Sequence, residues 1–418
     1  MSESAPQLVD HLFRREAGRM VAALVRALGT QNLALAEDAV QDVLCTALEA
    51  WKYGRVPDNP PAWLMRAAKN RAIDLVRRGA LQGRVAPELQ SEWTLLPAID
   101  ALFDEHAIED DDLRLMFSCC DPALSPDSQL AIILRYPCGF GIGEIAQAFL
   151  ASEAAIEKRL VRARESLARR GVLFDIRSAG EVLARLDTVH DALHLLFNEG
   201  YHGAHPNTVV RKELCYEALR LALRLVELPA AATPKSYALI ALMCFHAARI
   251  ETRIEGGELV PLGEQDRSRW DRELIEQGLG FLGRAAAGEV PSAFHFEAAI
   301  AALHCRARSV EETDWAQVAR LYESLFALRP SPVVALSRAI AFGMAFGARR
   351  GLEELEAIAQ RDKLAAYPFY AAAFGELHSR LGEREKAAER FQEAQRLARS
   401  AAEEQFFARR AAAAAAFS

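Results

Sequence analysis

The chain has 418 residues, of which 51% are hydrophobic and 26% charged, a globular composition too long for one ordinary domain, so two to four folded units are expected. Its formal net charge of -7 excludes a surface coated with nucleic-acid-binding charge, and any DNA contact has to be local. Abundant Ala, Leu, Arg and Glu with few β-branched runs favour helices nearly throughout, giving an all-α expectation. The seven cysteines are scattered without a CxxC pair, and the adjacent Cys119 and Cys120 are poorly placed for a disulfide, so all are expected to be reduced thiols. Met1 to Asp10 lacks a basic flank followed by an apolar core, and no apolar run approaches a membrane span, which predicts a soluble, cytoplasmic protein with no membrane contact.

Helical periodicity begins near Leu8 and continues to about Arg78. Val40, Val43, Leu44, Ala47, Leu48 and Trp51 are spaced as a buried stripe, with Asp38, Gln41, Asp42 and Glu49 opposite. The loop Arg55 to Pro61 ends in Asn59-Pro60-Pro61, a helix start signal. The helix that follows, Pro61 to Arg78, sets Trp63, Leu64, Ala67, Ala68, Ala72, Leu75 and Val76 on one side and Arg66, Lys69, Asn70, Asp74, Arg77 and Arg78 on the other. Basic and amide groups beside a loop suit a single strand with an unstacked base, although a charged helix face is usually just solvated.

From Gly79 to about Ala107 periodicity fades, as in a linker, and the run ends in the acidic cluster Asp104, Glu105 and Glu109 to Asp112. A compact helical unit follows to Arg170, with Asp121-Pro122 and Ser125-Pro126 opening its helices and Gly171 as a C-cap. Within it Gly141 to Leu160 reads as a short helix, a tight turn, an N-cap at Ser152 and a second helix, the helix-turn-helix arrangement. Ile156, Leu160, Ala163 and Leu167 form that helix's buried stripe, while Ala155, Lys158, Arg159 and Arg162 face outward, small and basic as a major groove requires. A helical hairpin with a solvated basic face is the bland alternative.

From about Asp175 amphipathic helices succeed one another without a convincing strand. Tyr367 to Ser400 carries Gly375, Gly382, Ala387, Phe391 and Ala394 at spacings resembling the tetratricopeptide pattern, with weaker units at Pro332 to Ala359 and Trp315 to Pro330. Such repeats stack into scaffolds that bind partners, so a protein partner on this region is expected.

Two DNA-binding helical units joined by a linker, the first with an acidic stripe, resemble the second and fourth conserved regions of extracytoplasmic-function sigma factors over about Leu8 to Arg170. Ala36-Glu37-Asp38-Ala39-Val40-Gln41-Asp42 looks like the family's core-polymerase motif, and the resemblance implies that Asp38, Gln41 and Asp42 meet the clamp helices of the largest subunit of bacterial core RNA polymerase. Pro61-Ala62-Trp63-Leu64 through Ala72-Ile73-Asp74-Leu75-Val76-Arg77-Arg78 resembles the segment that melts and reads the promoter -10 element, with the Arg55 to Pro61 loop cradling a flipped base. Arg135-Tyr136, Glu144-Ile145-Ala146, Ser152 and Arg159 through Arg164 match the -35 reading unit, where Ser152, Ala155, Lys158, Arg159 and Arg162 become the contact set. Ala154, Ala155 and Glu157 stand where relatives often carry Gly, Thr and Lys. A third sigma region is absent; the linker stands in its place, and its acidic residues would mimic nucleic acid.

The remainder resembles the subgroup with a long helical extension and tetratricopeptide-like repeats, through Leu195 to Tyr201, Gly257 to Val260 and Glu264 to Asp271. The resemblance implies regulation in cis. The expected domains are 1–80 (core binding and -10 recognition), the linker 81–107, 108–172 (helix-turn-helix, -35 recognition), 173–310 (helical extension) and 311–418 (TPR-like repeats), with no catalysis, cofactor or metal.

Two other readings compete. A helix-turn-helix regulator with a repeat sensor domain would act without polymerase, and the Asp38, Gln41, Asp42 stripe speaks against it. A metal-dependent hydrolase would be centred on His190 and His194, at i and i+4, with Glu199, His202 and His205 following; the usual zinc motif has Glu where Asp191 stands.

Overall fold

Straight-chain and small residues lose little side-chain freedom in a helix, and the described residues are accordingly mostly helical. The computed structural model describes residues 5–51, 56–81, 105–149, 151–169, 171, 178–202, 211–255 and 258–415. Packing divides the chain into two units, Met1–Leu196 and Phe197–Ser418.

The first unit opens with α1 (Ala5–Leu28), α2 (Leu33–Trp51) and α3 (Pro60–Leu81), which pack pairwise around Met20, Leu24, Leu28, Leu33, Val40, Leu64 and Ala68. Gly29, at φ 84°, turns the chain between α1 and α2 where a side chain would be strained. Helix α3 begins one residue before the position expected, at Pro60, because the Asn59 Oδ1 caps the Ala62 N–H at 3.1 Å and proline fits the first turn.

Helices α4 (Glu105–Cys119), α5 (Pro126–Arg135), α6 (Ile142–Ala148) and α7 (Glu153–Ala168) follow, and α8 (Ala179–His202) begins here. Leu115, Met116, Phe117, Ile132, Phe140, Ile145, Ile156, Leu160 and Leu167 form their core. The Ser125 and Ser152 side chains accept from Ser128 N and Ala155 N, capping α5 and α7. Buried Arg185 on α8 donates to the Phe117 carbonyl at 3.1 Å, setting its cation at the C-terminal end of α4, where the helix dipole favours it.

Most of the linker lies outside the described residues, but helix is already present at Glu105. Asp111 and Asp112, expected to end a free acidic run, are buried on α4 instead. An amphipathic helix with acids at its edge carries no strong linker signal, and Asp111 becomes buried because Arg26 reaches its Oδ1 at 3.2 Å.

In the second unit α9 (Lys212–Leu225), α11 (Arg272–Ala285) and α12 (Ala293–Arg306) pack around the largely buried α10 (Pro234–Ala247). A two-residue antiparallel pairing, Ile254–Glu255 with Glu258–Leu259, interrupts the helices where no strand was expected. The stretches that carried the family likeness without a mechanism acquire one here. The Glu199 carboxylate pairs with Arg211 at 2.5 Å, the Gly200 carbonyl accepts from Arg211 N at 2.8 Å, and a Cβ on Gly200 would meet the Arg211 carbonyl and Cys215. Asp266 and Asp271 cap the turn and α11, while Trp270 Nε1 donates to Thr252 Oγ1 at 3.0 Å and stacks near Arg267, whose Nη1 bonds the His304 and Ala307 carbonyls. These residues stitch the 249–271 loop onto the helices.

Helices α13 (Trp315–Leu328), α14 (Pro332–Phe346), α15 (Ala348–Glu356), α16 (Pro368–Arg380), α17 (Arg384–Arg396) and α18 (Ala401–Ala415) then pack as successive neighbours. Between α16 and α17 Gly375 lies under the Phe391 ring, Ala387 and Ala394 are buried, and Gly382 turns the chain at φ 75°. Gly351 and Gly343 bring α15 onto α14 so closely that a Cβ on Gly351 would lie 2.7 Å from the Gly343 Cα. Gly351→Ala is therefore expected to lower stability by about 1–3 kcal/mol through overpacking, seen as a lower urea midpoint of the full chain with helix content retained; an unchanged midpoint would show that the pair tolerates separation.

Candidate nucleic-acid and protein interface

Helix α2 must bury one face and leave the other, and its sequence divides accordingly. Ala36, Ala39, Val40, Val43, Ala47 and Trp51 are buried, with the Trp51 ring 5.7 Å from Trp63 of α3. Asp38, Gln41, Asp42, Cys45 and Glu49 are exposed on one stripe. Leu48, counted with the buried stripe from the sequence, is 51% exposed at the edge of the acidic face; Leu44 is half-buried. At about 100° per residue Leu48 falls between the two arcs, and neither α1 nor α3 covers it.

The acidic stripe is tied to its surroundings at two points that the sequence did not single out. Arg71 of α3 donates from Nε and Nη2 to Asp42 Oδ2 at 2.8 and 2.6 Å. Glu37, one residue before the stripe, accepts from Arg135 through Oε1 and from the Tyr136 hydroxyl at 3.0 Å through Oε2, with Arg164 Nη1 3.8 Å away. Gln41 also donates to Glu37 Oε1 at 3.3 Å. Desolvation, then the Glu37 and Asp42 charges, raise the Asp38 carboxyl above its ordinary value, against the opposing pull of Arg164. Burial and the neighbouring Glu37 charge push the Tyr136 phenol well up, so it stays a hydrogen-bond donor.

On α3, Arg66, Asn70, Asp74, Arg77 and Arg78 are exposed and Lys69 is half-buried beside them. Arg66, Asn70, Asp74 and Arg77 fall within about a quarter turn of the helix. Val56, Asp58 and Asn59 of the preceding loop are exposed, whereas Arg55 lies outside the described residues.

The helix-turn-helix is built as its sequence implies. Gly141 N is capped by Glu144 Oε2 at 2.7 Å, the turn closes with Ala151 N on the Ala146 carbonyl at 2.9 Å, and Ser152 starts α7. Ser152, Ala155, Lys158 and Arg162 are exposed. Arg159 departs from the free outward position expected of it: it is half-buried, with its guanidinium 5.3 Å from the Phe149 ring centre and 3.6 Å from Asp127. Arg164, about half a turn from Ala155, points to the opposite side of α7 and reaches Glu37.

His190 is fully buried and its Nδ1 lies 4.0 Å from Asp187. His194 is half-buried; the His202 side chain and His205 lie outside the described residues. Among the described residues no group of three His, Cys, Asp or Glu side chains is arranged to hold a metal ion, and no helix is long and apolar enough to cross a membrane.

Residues 13–81 match Sigma-70 region 2 and residues 115–167 match Sigma-70, region 4. Residues 185–286 match a family of unknown function, DUF6596. An uncharacterized protein of Rhizobium meliloti (strain 1021) is 36% identical over 397 residues, which cover 92% of each chain. No solved structure matches.

The raised Asp38 carboxyl has a consequence for stability. Its ionised form is less favourable folded than unfolded, a penalty present above the folded pKa and gone below the ordinary value of 3.8. Asp38→Asn is expected to stabilise the chain at neutral pH and to lose that advantage as the solution is acidified through the carboxylate range; thermal unfolding against pH measures it, and equal stability of both proteins at neutral pH would contradict the electrostatic account.

Proposed function

The chain belongs to the extracytoplasmic-function sigma factors that carry a C-terminal extension, and from that premise we propose a role for each exposed face of its first unit. Members of this family are not enzymes; they bind core RNA polymerase and promoter DNA in transcription initiation. In the proposed division of labour, Asp38, Gln41 and Asp42 dock on the clamp helices of the largest polymerase subunit, with Leu48 as an apolar anchor among them. Arg66, Lys69, Asn70, Asp74, Arg77 and Arg78 hold the opened -10 strand, and Ser152, Ala155, Lys158, Arg159 and Arg162 engage the -35 element.

One observation carries the reading most: α2 exposes Asp38, Gln41, Asp42 and Leu48 while Ala36, Ala39, Val40, Val43, Ala47 and Trp51 are buried. An exposed leucine beside a charged stripe suits the apolar part of an interface. Strand opening then draws on binding energy, as unstacked bases are captured by α3. Arg71, bonded to Asp42, couples the acidic face to the helix that meets the -10 strand.

The extension is proposed to regulate in cis, with α13 to α18 as tetratricopeptide-like pairs whose small residues let the helices approach, as Gly375 does beneath Phe391. That surface is proposed to receive a protein partner, in the cytoplasm, where the polymerase works.

Run-off transcription with bacterial core polymerase on the protein's own upstream region tests the reading, and a transcript dependent on the protein is expected. Asp42→Arg is expected to abolish core association while leaving helix content unchanged; core binding at the wild-type level would refute the assignment of the α2 face. Arg162→Ala should weaken duplex -35 binding by about 1–3 kcal/mol if it reads a base edge, as titrated by fluorescence anisotropy, and a loss confined to single-stranded DNA would show that the two reading helices were assigned the wrong way round.

A further inference from the structure

Glu37 joins two helices that the proposed function needs far apart. It sits on α2 at the edge of the polymerase-binding stripe, next to Gln41, and its carboxylate is held by Arg135, by the Tyr136 hydroxyl at 3.0 Å and by Arg164 of the recognition helix at 3.8 Å. Further contacts run along the same seam. Thr30, between α1 and α2, donates its hydroxyl to the Leu167 carbonyl at 2.8 Å and its N–H to the Gly171 carbonyl at 3.2 Å, tying the α1–α2 turn to the C-terminal end of α7. Arg26 of α1 meets buried Asp111 of α4 at 3.2 Å, and Gly18 of α1 lies so close to the Pro137 carbonyl that no side chain fits there.

The -10 and -35 elements stand about 25 base steps apart, about 85 Å along the duplex. Helices α2 and α7, with 19 and 16 residues, are about 28 and 24 Å long, and they touch. In this arrangement α3 and α7 cannot reach both elements together. Fully extended, the chain between Leu81 and Glu105 reaches about 80 Å, so covalent connection does not forbid separation.

Resting on the sigma reading above, we propose that Glu37 is the catch of an intramolecular clasp: Arg135, Tyr136 and Arg164 of the helix-turn-helix unit close on it in the free protein, and the clasp must open before both promoter elements are read. The recognition face of α7 is not covered by the clasp, because Arg164 lies on its opposite side. What the clasp withholds is separation of the two reading helices and access to one edge of the α2 face, where Arg164 also neighbours Asp38. The core polymerase therefore competes with the protein's own arginines for an acidic helix. Its apparent affinity is the intrinsic affinity multiplied by the open fraction.

The test uses the full chain with spin labels at Ala34→Cys and Glu165→Cys, both exposed sites, and with exposed Cys45 replaced by Ser; the other cysteines are buried. Pulsed dipolar measurements on the free protein are expected to give one short distance, which lengthens and broadens in Glu37→Arg and, less, in Tyr136→Phe, a change that removes only one hydroxyl. Glu37→Arg combined with Arg135→Glu should restore the short distance. In parallel, Tyr136→Phe should bind core polymerase more tightly, by up to about tenfold if the closed form dominates. An unchanged distance in both single variants, with helix content retained, overturns the clasp. So does a short distance that persists in a transcribing complex with core polymerase and promoter. If no transcript forms, the sigma reading fails, while the free-chain distances still decide the clasp.

Discussion

A helix has one surface to divide between its own core and its partners, and α2 makes that division for the whole first unit. Its alanine and valine stripe is small enough to let α1 and α3 approach closely, and Trp51 closes the end of the stripe against Trp63. Because that side is fully occupied, the acids on the other side remain together, and partial desolvation followed by the Glu37 and Asp42 charges raises the Asp38 carboxyl. Partners from two directions relieve the crowding. Arg71 neutralises Asp42 from α3, and the Arg135, Tyr136 and Arg164 group receives Glu37 from the helix-turn-helix unit. One stays within the three-helix bundle, and the other crosses the seam between the two DNA-reading parts.

The extension solves a different problem. Its helices are short, and small residues set their spacing: Gly351 against Gly343, Gly375 against Phe391, with Ala387 and Ala394 buried beside them. The 249–271 loop is held by larger polar residues. There Arg267 and Arg249, both under a tenth exposed, lie near Trp270, and buried Thr252 is bonded by the Trp270 indole. Burial next to these two arginines drives His304 down to about 3, so the imidazole stays neutral and packs edge-on against Trp315. A buried cluster of this kind holds a loop in place because each misplacement would strand a charge without solvent.

Where expectation and structure part, the cause is mostly a neighbour distant in sequence. Asp111 looked like part of a free acidic run because nothing local pairs with it; Arg26, on α1, does. Arg159 looked outward by helical angle, yet Phe149 and Asp127 draw its flexible side chain sideways. Leu48 looked buried because apolar residues at helical spacing normally are, and it lies where no helix covers it. Gly200 and the Asp266 to Asp271 stretch were legible only as a likeness, since their reasons are a backbone approaching from α9 and an indole reaching Thr252.

The sequence by itself determined the helices, their caps at Asn59, Ser125 and Ser152, the helix-turn-helix and the two-sided character of α2, because each depends on residues within a few positions of one another. It also carried the family, through several motifs in the right order. Only the tertiary structure decided which charges remain available. Glu37 reads in sequence as one more acid of the polymerase motif, and it becomes the meeting point of two units because Arg135, Tyr136 and Arg164 lie about 100 or more positions away along the chain and are brought to it by the packing of the seam, which periodicity, operating over a few turns, does not encode.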